Sequence, residues 1–256
     1  DPCTDYAACA PSRWLWDASL VGEFDFTPPV AEGMELELEA PFGTFTINPQ
    51  PYLSFLAHMD SHPLQQRGQG NPTLAGTLDY VPAQNGDAVR VSASSRLAYP
   101  TVGNLNLSSG TLALWVSLPE EYPTVRRQRH YIFSASANPD ANPIYTGTLA
   151  LRRELDGQNQ PYWNFWTSPE SGVEGRNDLR IPDTLAAGMH HFVLTWDREL
   201  RMKALFIDGQ LLATAVGVEL AQDVGPLLEL GRFGPAGPVS NIAIDDLAIF
   251  ERTLET

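Results

Sequence analysis

The sequence predicts an all-β protein, a sandwich of two antiparallel sheets, and three observations carry that expectation. First, residues 190–214, reading HHFVLTWDRELRMKALFIDGQLLAT, hold two runs of strand periodicity closed by Asp208-Gly209. Phe192, Leu194 and Trp196 fall on one face, because side chains alternate along a strand. In the second run Met202, Ala204 and Phe206 share a face, and Lys203, Leu205 and Ile207 take the other. Asp-Gly supplies the positive backbone angles of a tight hairpin turn. Second, 20 glycines and 21 prolines punctuate the chain, and long helical repeats of apolar residues are hard to find. Third, short runs with strand character recur at roughly even spacing, with turn residues and no helical pattern between them.

Taken in order, residues 1–20 read as coil. Cys3 and Cys9 lie in a polar, Pro/Ala-rich segment with no core to bury them, so a small terminal disulfide is expected rather than two reduced thiols. Trp14 and Trp16 are two apart and are expected to anchor the terminus to the domain. Val21 to Ile47 suggests strands: Glu23-Phe24-Asp25-Phe26 alternates, Pro28-Pro29 interrupts, Met34 to Glu39 alternates again, and Gly43 to Ile47 adds a short run. Tyr52 to Asp60 follows, then a Gly/Gln-rich loop to about Asn71. From Leu74 strands are expected at Thr77–Val81, Ala88–Ser92, Gly110–Val116, Tyr131–Ala135, Thr148–Arg152 and Tyr162–Thr167. Asn85-Gly86, Asn138 to Pro143 and Asp156-Gly157 mark turns between them.

Composition bounds the partners. A hydrophobic fraction of 43% supports a packed core, and no run is long enough for a membrane-spanning helix. A net charge of −15 argues against nucleic acid or an anionic membrane surface as partner. The short basic cluster of Arg126, Arg127, Arg129 and His130 reads as a solvated turn. No signal peptide is visible, so an exported protein would be represented here in its mature form.

Six motifs then occur in a telling order: LAHMD ending at Asp60, GDAVRVS (86–92), SSGTLALWVSL (108–118), HHFVLTWD (190–197), ALFIDGQLL (204–212) and IDDLAIFERTL (244–254). Together they resemble the laminin-G-like branch of the concanavalin A-like lectin/glucanase superfamily, over about residues 50–256. The resemblance implies a jelly-roll sandwich in which one sheet is concave and Trp115 and Trp196 fill core positions. Residues 1–49 lie outside it and are expected to pack on the sandwich, adding strands to a sheet edge or covering a sheet.

The resemblance also implies a structural Ca²⁺ between an early strand and the last one, at Asp60, Asp245 and Asp246. Calcium takes several oxygen ligands. One member of the Asp245-Asp246 pair must also turn inward or sit at a strand end, where a carboxylate needs a cation or several donors. His58-x-Asp60-x-His62 has zinc-like spacing, but Pro63 follows at once and spoils the extended geometry. Glu35-x-Glu37-x-Glu39 is similar to the carboxylate triplet of the superfamily's glucanases, where retaining hydrolysis needs two carboxyls close together. Its middle residue is Glu rather than Asp and leucines alternate with it, so an amphipathic strand with a solvated acidic side is the plainer reading. Glu23 to Thr27 lacks the second glutamate. Arg152-Arg153-Glu154-Leu155 resembles a motif of sandwich-fold alginate lyases, but the companion Gln-Ile-His and Tyr-Phe-Lys motifs are absent.

The remaining candidates are polar and aromatic. In Tyr162-Trp163-Asn164-Phe165-Trp166 one set must enter the core. Tyr162, Asn164 and Trp166 can lie on the open face, where rings stack on a sugar and the amide bonds a hydroxyl. His191, pointing away from Phe192 and Trp196, is a further ligand candidate. The expected function is a non-catalytic carbohydrate- or glycoprotein-binding or adhesion module of a secreted or cell-surface protein. The rivals are a glycan-active hydrolase or lyase using carboxylates such as Glu35 and Glu37 on the concave face, and a purely structural calcium-stiffened domain.

Overall fold

The computed structural model describes residues 52–83, 86–120, 129–137, 147–169, 177–234, 237 and 239–253, together with the backbone of 36–40 and 43–47. Readings that fall on Cys3, Cys9, Trp14, Trp16, Glu23 to Thr27, Glu35, Arg126 and Arg127 lie outside the described residues.

Among the described residues seventeen strands form in chain order: β1 (Leu36–Ala40), β2 (Gly43–Ile47), β3 (Leu53–Ala57), β4 (Thr73–Ala75), β5 (Asp79–Pro82), β6 (Asp87–Val91), β7 (Arg96–Pro100), β8 (Ser109–Leu118), β9 (His130–Ser136), β10 (Thr148–Leu155), β11 (Pro161–Ser168), β12 (Asp178–Pro182), β13 (Gly188–Asp197), β14 (Met202–Ile207), β15 (Gln210–Val216), β16 (Leu227–Leu230) and β17 (Ile242–Phe250). Two antiparallel sheets make the sandwich. One has eight strands in the order β15-β14-β13-β8-β17-β6-β5, with β3 also paired to β17; the other has seven, β12-β11-β10-β9-β16-β7-β4. The pair β1-β2 forms a separate two-stranded sheet.

The 190–214 stretch lies within the eight-stranded sheet as β13, β14 and the start of β15. Asp208 and Gly209 take φ of 49° and 77°, and Ile207 pairs with Gln210 across the turn. Between the sheets, Leu112, Leu114 and Val116 of β8 meet Leu149, Leu151, Trp163 and Phe165 of the other sheet in one apolar core. Trp196 belongs to that core and bonds Asn106 O through Nε1 at 2.9 Å. Trp115 does not: on β8 it falls on the opposite face from Leu114 and Val116, half-buried beside His191. The core position implied for Trp115 is thereby corrected. Period-two alternation puts it on the face of the small Ala113 and Ser117, while Leu114 and Val116 take the core side.

The inward face of β14 also includes a charged residue. Lys203 is 1% exposed, and its Nζ donates to Phe165 O (2.8 Å), Thr167 Oγ1 (3.0 Å) and Asn177 O. It therefore ties β14 across the sandwich to β11 and to the approach to β12. Burial lowers its amine to about 7, against the pull of Asp178.

Candidate functional site

The outer face of the seven-stranded sheet presents a three-by-three array. Pairing of β10, β11 and β12 aligns Ala150–Trp166–Asp178, then Arg152–Asn164–Arg180, then Glu154–Tyr162–Pro182. Tyr131 of β9 stands opposite Arg152. Trp163 and Phe165, one residue out of phase, enter the core, which leaves Tyr162, Asn164 and Trp166 together on this face. His191 does not join them; it lies on the other sheet.

Two guanidinium groups flank the central amide. The Arg152 guanidinium sits over the Trp166 ring at 4.1 Å, and that of Arg180 over Tyr162 at 5.2 Å. Each is also held by a carboxylate: Arg152 and Arg129 by Glu154, Arg180 by Asp178. Arg129 is thus anchored in the array rather than being a solvated turn residue, because Glu154 reaches it at 3.1 Å. Tyr162 donates its hydroxyl to Glu154 Oε2 at 2.5 Å. Burial, reinforced by that carboxylate, raises the phenol above its ordinary range. Burial also pushes the Asp178 carboxyl up, but Arg180 and Asn164 outweigh it and the net shift is downward.

Accessibility varies across the array. Trp166 is fully buried, packed against Phe233, so it supports the face from beneath and is not the open stacking platform expected. Arg180 is the open member, its side chain 54% exposed, and Tyr162 is half-buried beside it. Asn164 is fully buried beside Asp178, and its hydrogen bonding helps Arg180 hold that carboxyl below its ordinary range. Guanidinium donors, an amide that can donate and accept, and flat rings are the groups that recognise hydroxyl- and carboxylate-bearing ligands. The ion-paired carboxylates, by contrast, are poorly placed to act as a free nucleophile or a protonated acid.

Sequence reasoning missed Asp178, Arg180 and Tyr131, and it considered Arg152 and Glu154 only within a lyase-like motif that it set aside. A signal for the place of Arg152 and Glu154 existed. The five-residue turn Asp156–Gln160, closed by Asp156 N donating to Gln160 O at 2.9 Å, makes β10 and β11 a hairpin and puts Arg152 and Glu154 opposite Asn164 and Tyr162.

The other candidates lie elsewhere. His191 stacks on Trp115, centroids 4.8 Å apart at 24°, and burial lowers its imidazole to about 4 despite Asp208 nearby. Asp60, Asp245 and Asp246 do come to one corner, where β3 meets β17. The register of β17 shifts between Asp245 and Ala248, and Asp246 takes a φ of 47°. Asp246 accepts from His58 Nδ1 at 2.6 Å, which raises the His58 imidazole against its burial. Asp60 is exposed and accepts from Asp87 N at 2.8 Å. Positive φ at Met59 (64°) and Ser61 (58°) breaks the extended geometry that His58-x-Asp60-x-His62 would need as a zinc face.

Asp245 is 2% exposed, and burial, with Asp246, Asp60 and Asp87 adding to it, raises its carboxyl to about 8. That surplus of negative charge suits a hard cation with oxygen ligands. Among the described residues, however, no three His, Cys, Asp or Glu side chains converge on one ion position. The carboxylates match calcium in charge and oxygen chemistry, but among the described residues they do not gather around one ion position.

Comparison with known proteins agrees with this architecture. No curated protein matches the chain. Among solved structures, domain 4 of AbnA, a GH43 extracellular arabinanase from Geobacillus stearothermophilus in complex with arabinotriose, aligns at 17% identity and TM-score 0.55, over 79% of this chain and 94% of that one. The binding domain of Paraclostridial Mosquitocidal Protein 1 aligns at 14% identity and TM-score 0.54, over 80% of this chain and 50% of that chain. The binding domain of botulinum neurotoxin serotype D aligns at 12% identity and TM-score 0.55, over 80% and 49%. The chain spans about half the length of those two toxin structures. These likenesses establish a shared fold. A laminin-G family model described as concanavalin A-like lectin/glucanases superfamily matches residues 91–256, and the chain belongs to that superfamily.

Proposed function

We propose that this chain is a non-catalytic module of a secreted or surface protein. It binds a glycan or glycoprotein through the outer face of the seven-stranded sheet, centred on Tyr162, Asn164 and Arg180. The observation that carries the reading is the alignment of Tyr162, Asn164 and two ring-stacked arginines on one face whose edge opens through Arg180. The arabinotriose complex of a similarly folded domain supports a sugar as the ligand class. The ion-paired state of Glu154 and Asp178 favours binding over hydrolysis.

The test is a glycan array probed with the full chain, beside a reducing-sugar release assay on the glycans that score. Binding without release is expected, weakened by Tyr162→Ala and Arg180→Ala. No binding across the array, or binding indifferent to both substitutions, would overturn the assignment. Release of product would favour the hydrolase instead. We further propose that calcium occupies the Asp60–Asp245–Asp246 corner as a structural ion, supported by the meeting of these carboxylates where the irregular stretch of β17 lies beside the end of β3.

A further inference from the structure

The outer face of the seven-stranded sheet conceals its acids and exposes its bases. The side chains of Asp178 and Glu154 are 5% and 11% exposed, while those of Arg180 and Arg129, which they hold, are 54% and 30% exposed. The acceptors are also committed. Glu154 takes Arg129, Arg152 and the Tyr162 hydroxyl, and the Asn164 amide is fully buried beside Asp178. Among the described residues of the array, a ligand therefore meets the half-buried Tyr162 ring and guanidinium N–H groups, and no open side-chain acceptor.

That asymmetry selects among sugars. A neutral hydroxyl both donates and accepts, whereas a carboxylate only accepts and brings a charge. Arg180 has the shape as well as the charge for a carboxylate. A guanidinium carries five N–H donors in a rigid planar fork. Arg180 gives two of them to Asp178 Oδ2, from Nε at 2.9 Å and from Nη2. The other three, two on Nη1 and one on Nη2, form the end that grips a carboxylate through two parallel bonds. The Tyr162 ring lies 5.2 Å from that guanidinium and continues the flat surface beside it. The array also carries three arginines against two carboxylates, on a chain whose net charge is −15. Repulsion from distant acids is screened beyond about 8 Å at physiological salt, so the local excess decides what docks.

We propose that the ligand of this face is an acidic glycan, with a uronate carboxylate gripped end-on by Arg180 and its sugar ring against Tyr162. The proposal rests on the glycan-binding reading of the same face and adds the ligand's class to it. Arg180 stays charged at every working pH, so binding follows the ligand's carboxylate and weakens as added salt screens the pair.

Isothermal titration of the full chain with a set of uronate oligosaccharides and their methyl esters tests this, since the ester removes the charge and keeps the sugar. At least one uronate should bind about tenfold more tightly than its own ester at low salt, a preference that shrinks when salt is raised. Arg180→Gln should abolish the preference, and Arg180→Lys, which keeps the charge without the fork, should restore only a minor part of it. Esters that bind as well as their acids, or a preference that survives Arg180→Gln, overturn the proposal. So does a sulfated neutral oligosaccharide that gains over its parent as much as a uronate gains over its ester, because charge alone would then be read. If neutral glycans bind and Tyr162→Ala weakens them, the face remains a sugar site and only the acidic class fails. If no glycan binds, both readings fall.

Discussion

Lys203→Met should change the pH dependence of folding by an amount that can be worked out from the structure. The Lys203 amine lies inside the sandwich, and its three acceptors, Phe165 O, Thr167 Oγ1 and Asn177 O, are all uncharged. Burial brings it from an ordinary 10.5 down to about 7. A depressed lysine binds its proton less tightly when folded, so the folded state is penalised wherever the amine must be charged. That penalty is full below pH 7 and fades as pH rises from 7 toward 10.5. At about 1.36 kcal/mol per pH unit, the wild type should gain on the order of 4 kcal/mol relative to Lys203→Met between pH 6 and pH 10. Methionine keeps the length and apolar stem while removing the titration. It also leaves three acceptors unmet, which costs a roughly pH-independent amount of about 1–3 kcal/mol for each group left bare. Urea unfolding of both proteins at several pH values, subtracted pairwise, cancels every other titrating group. A stability difference that stays flat from pH 6 to pH 10 would refute the buried, neutral-caged lysine.

Two further outcomes follow from packing and from the acidic corner. A Cβ added at Gly110 would meet Trp196 Cζ2 at 2.3 Å, so Gly110→Ala should lose about 1–3 kcal/mol in denaturant unfolding; an unchanged midpoint would place Trp196 elsewhere. Without a cation, the raised Asp245 carboxyl contributes stability at low pH that is lost progressively as pH climbs from its ordinary 3.8 through about 8. Calcium should therefore raise the melting temperature most above pH 8, and Asp245→Asn should shrink that gain. A melting temperature indifferent to chelator at pH 8.5 would exclude the ion.

Most strands were legible because period-two alternation survives wherever one face is buried. The turn at Asp208-Gly209, the faces of β13 and β14, and the long central strand β8 all follow from it. Strands β4, β7, β12 and β16 were not foreseen. They are three to five residues long, and β7 and β12 each end in proline. Their stability comes from neighbours rather than from local pattern.

The candidate site was half legible. Alternation put Tyr162, Asn164 and Trp166 on one face, but aromatic residues occupy both faces of β11, so pattern alone could not say which one entered the core. Arg180 and Asp178 belong to β12, which turn chemistry did not connect to β11. Lys203 shows the converse. Alternation with Leu205 and Ile207 pointed it inward, and only the carbonyls of Phe165 and Asn177 make that placement tolerable.

The most direct test of the glycan-binding face is the affinity of the best array ligand for wild type, Tyr162→Ala and Arg180→Ala, with Leu212→Ala on exposed β15 as control. Tyr162→Ala and Arg180→Ala should each weaken binding by about tenfold or more, near 1.4 kcal/mol, while Leu212→Ala leaves it unchanged. Equal affinity in all four proteins, with folding intact, would contradict a ligand site on the seven-stranded sheet.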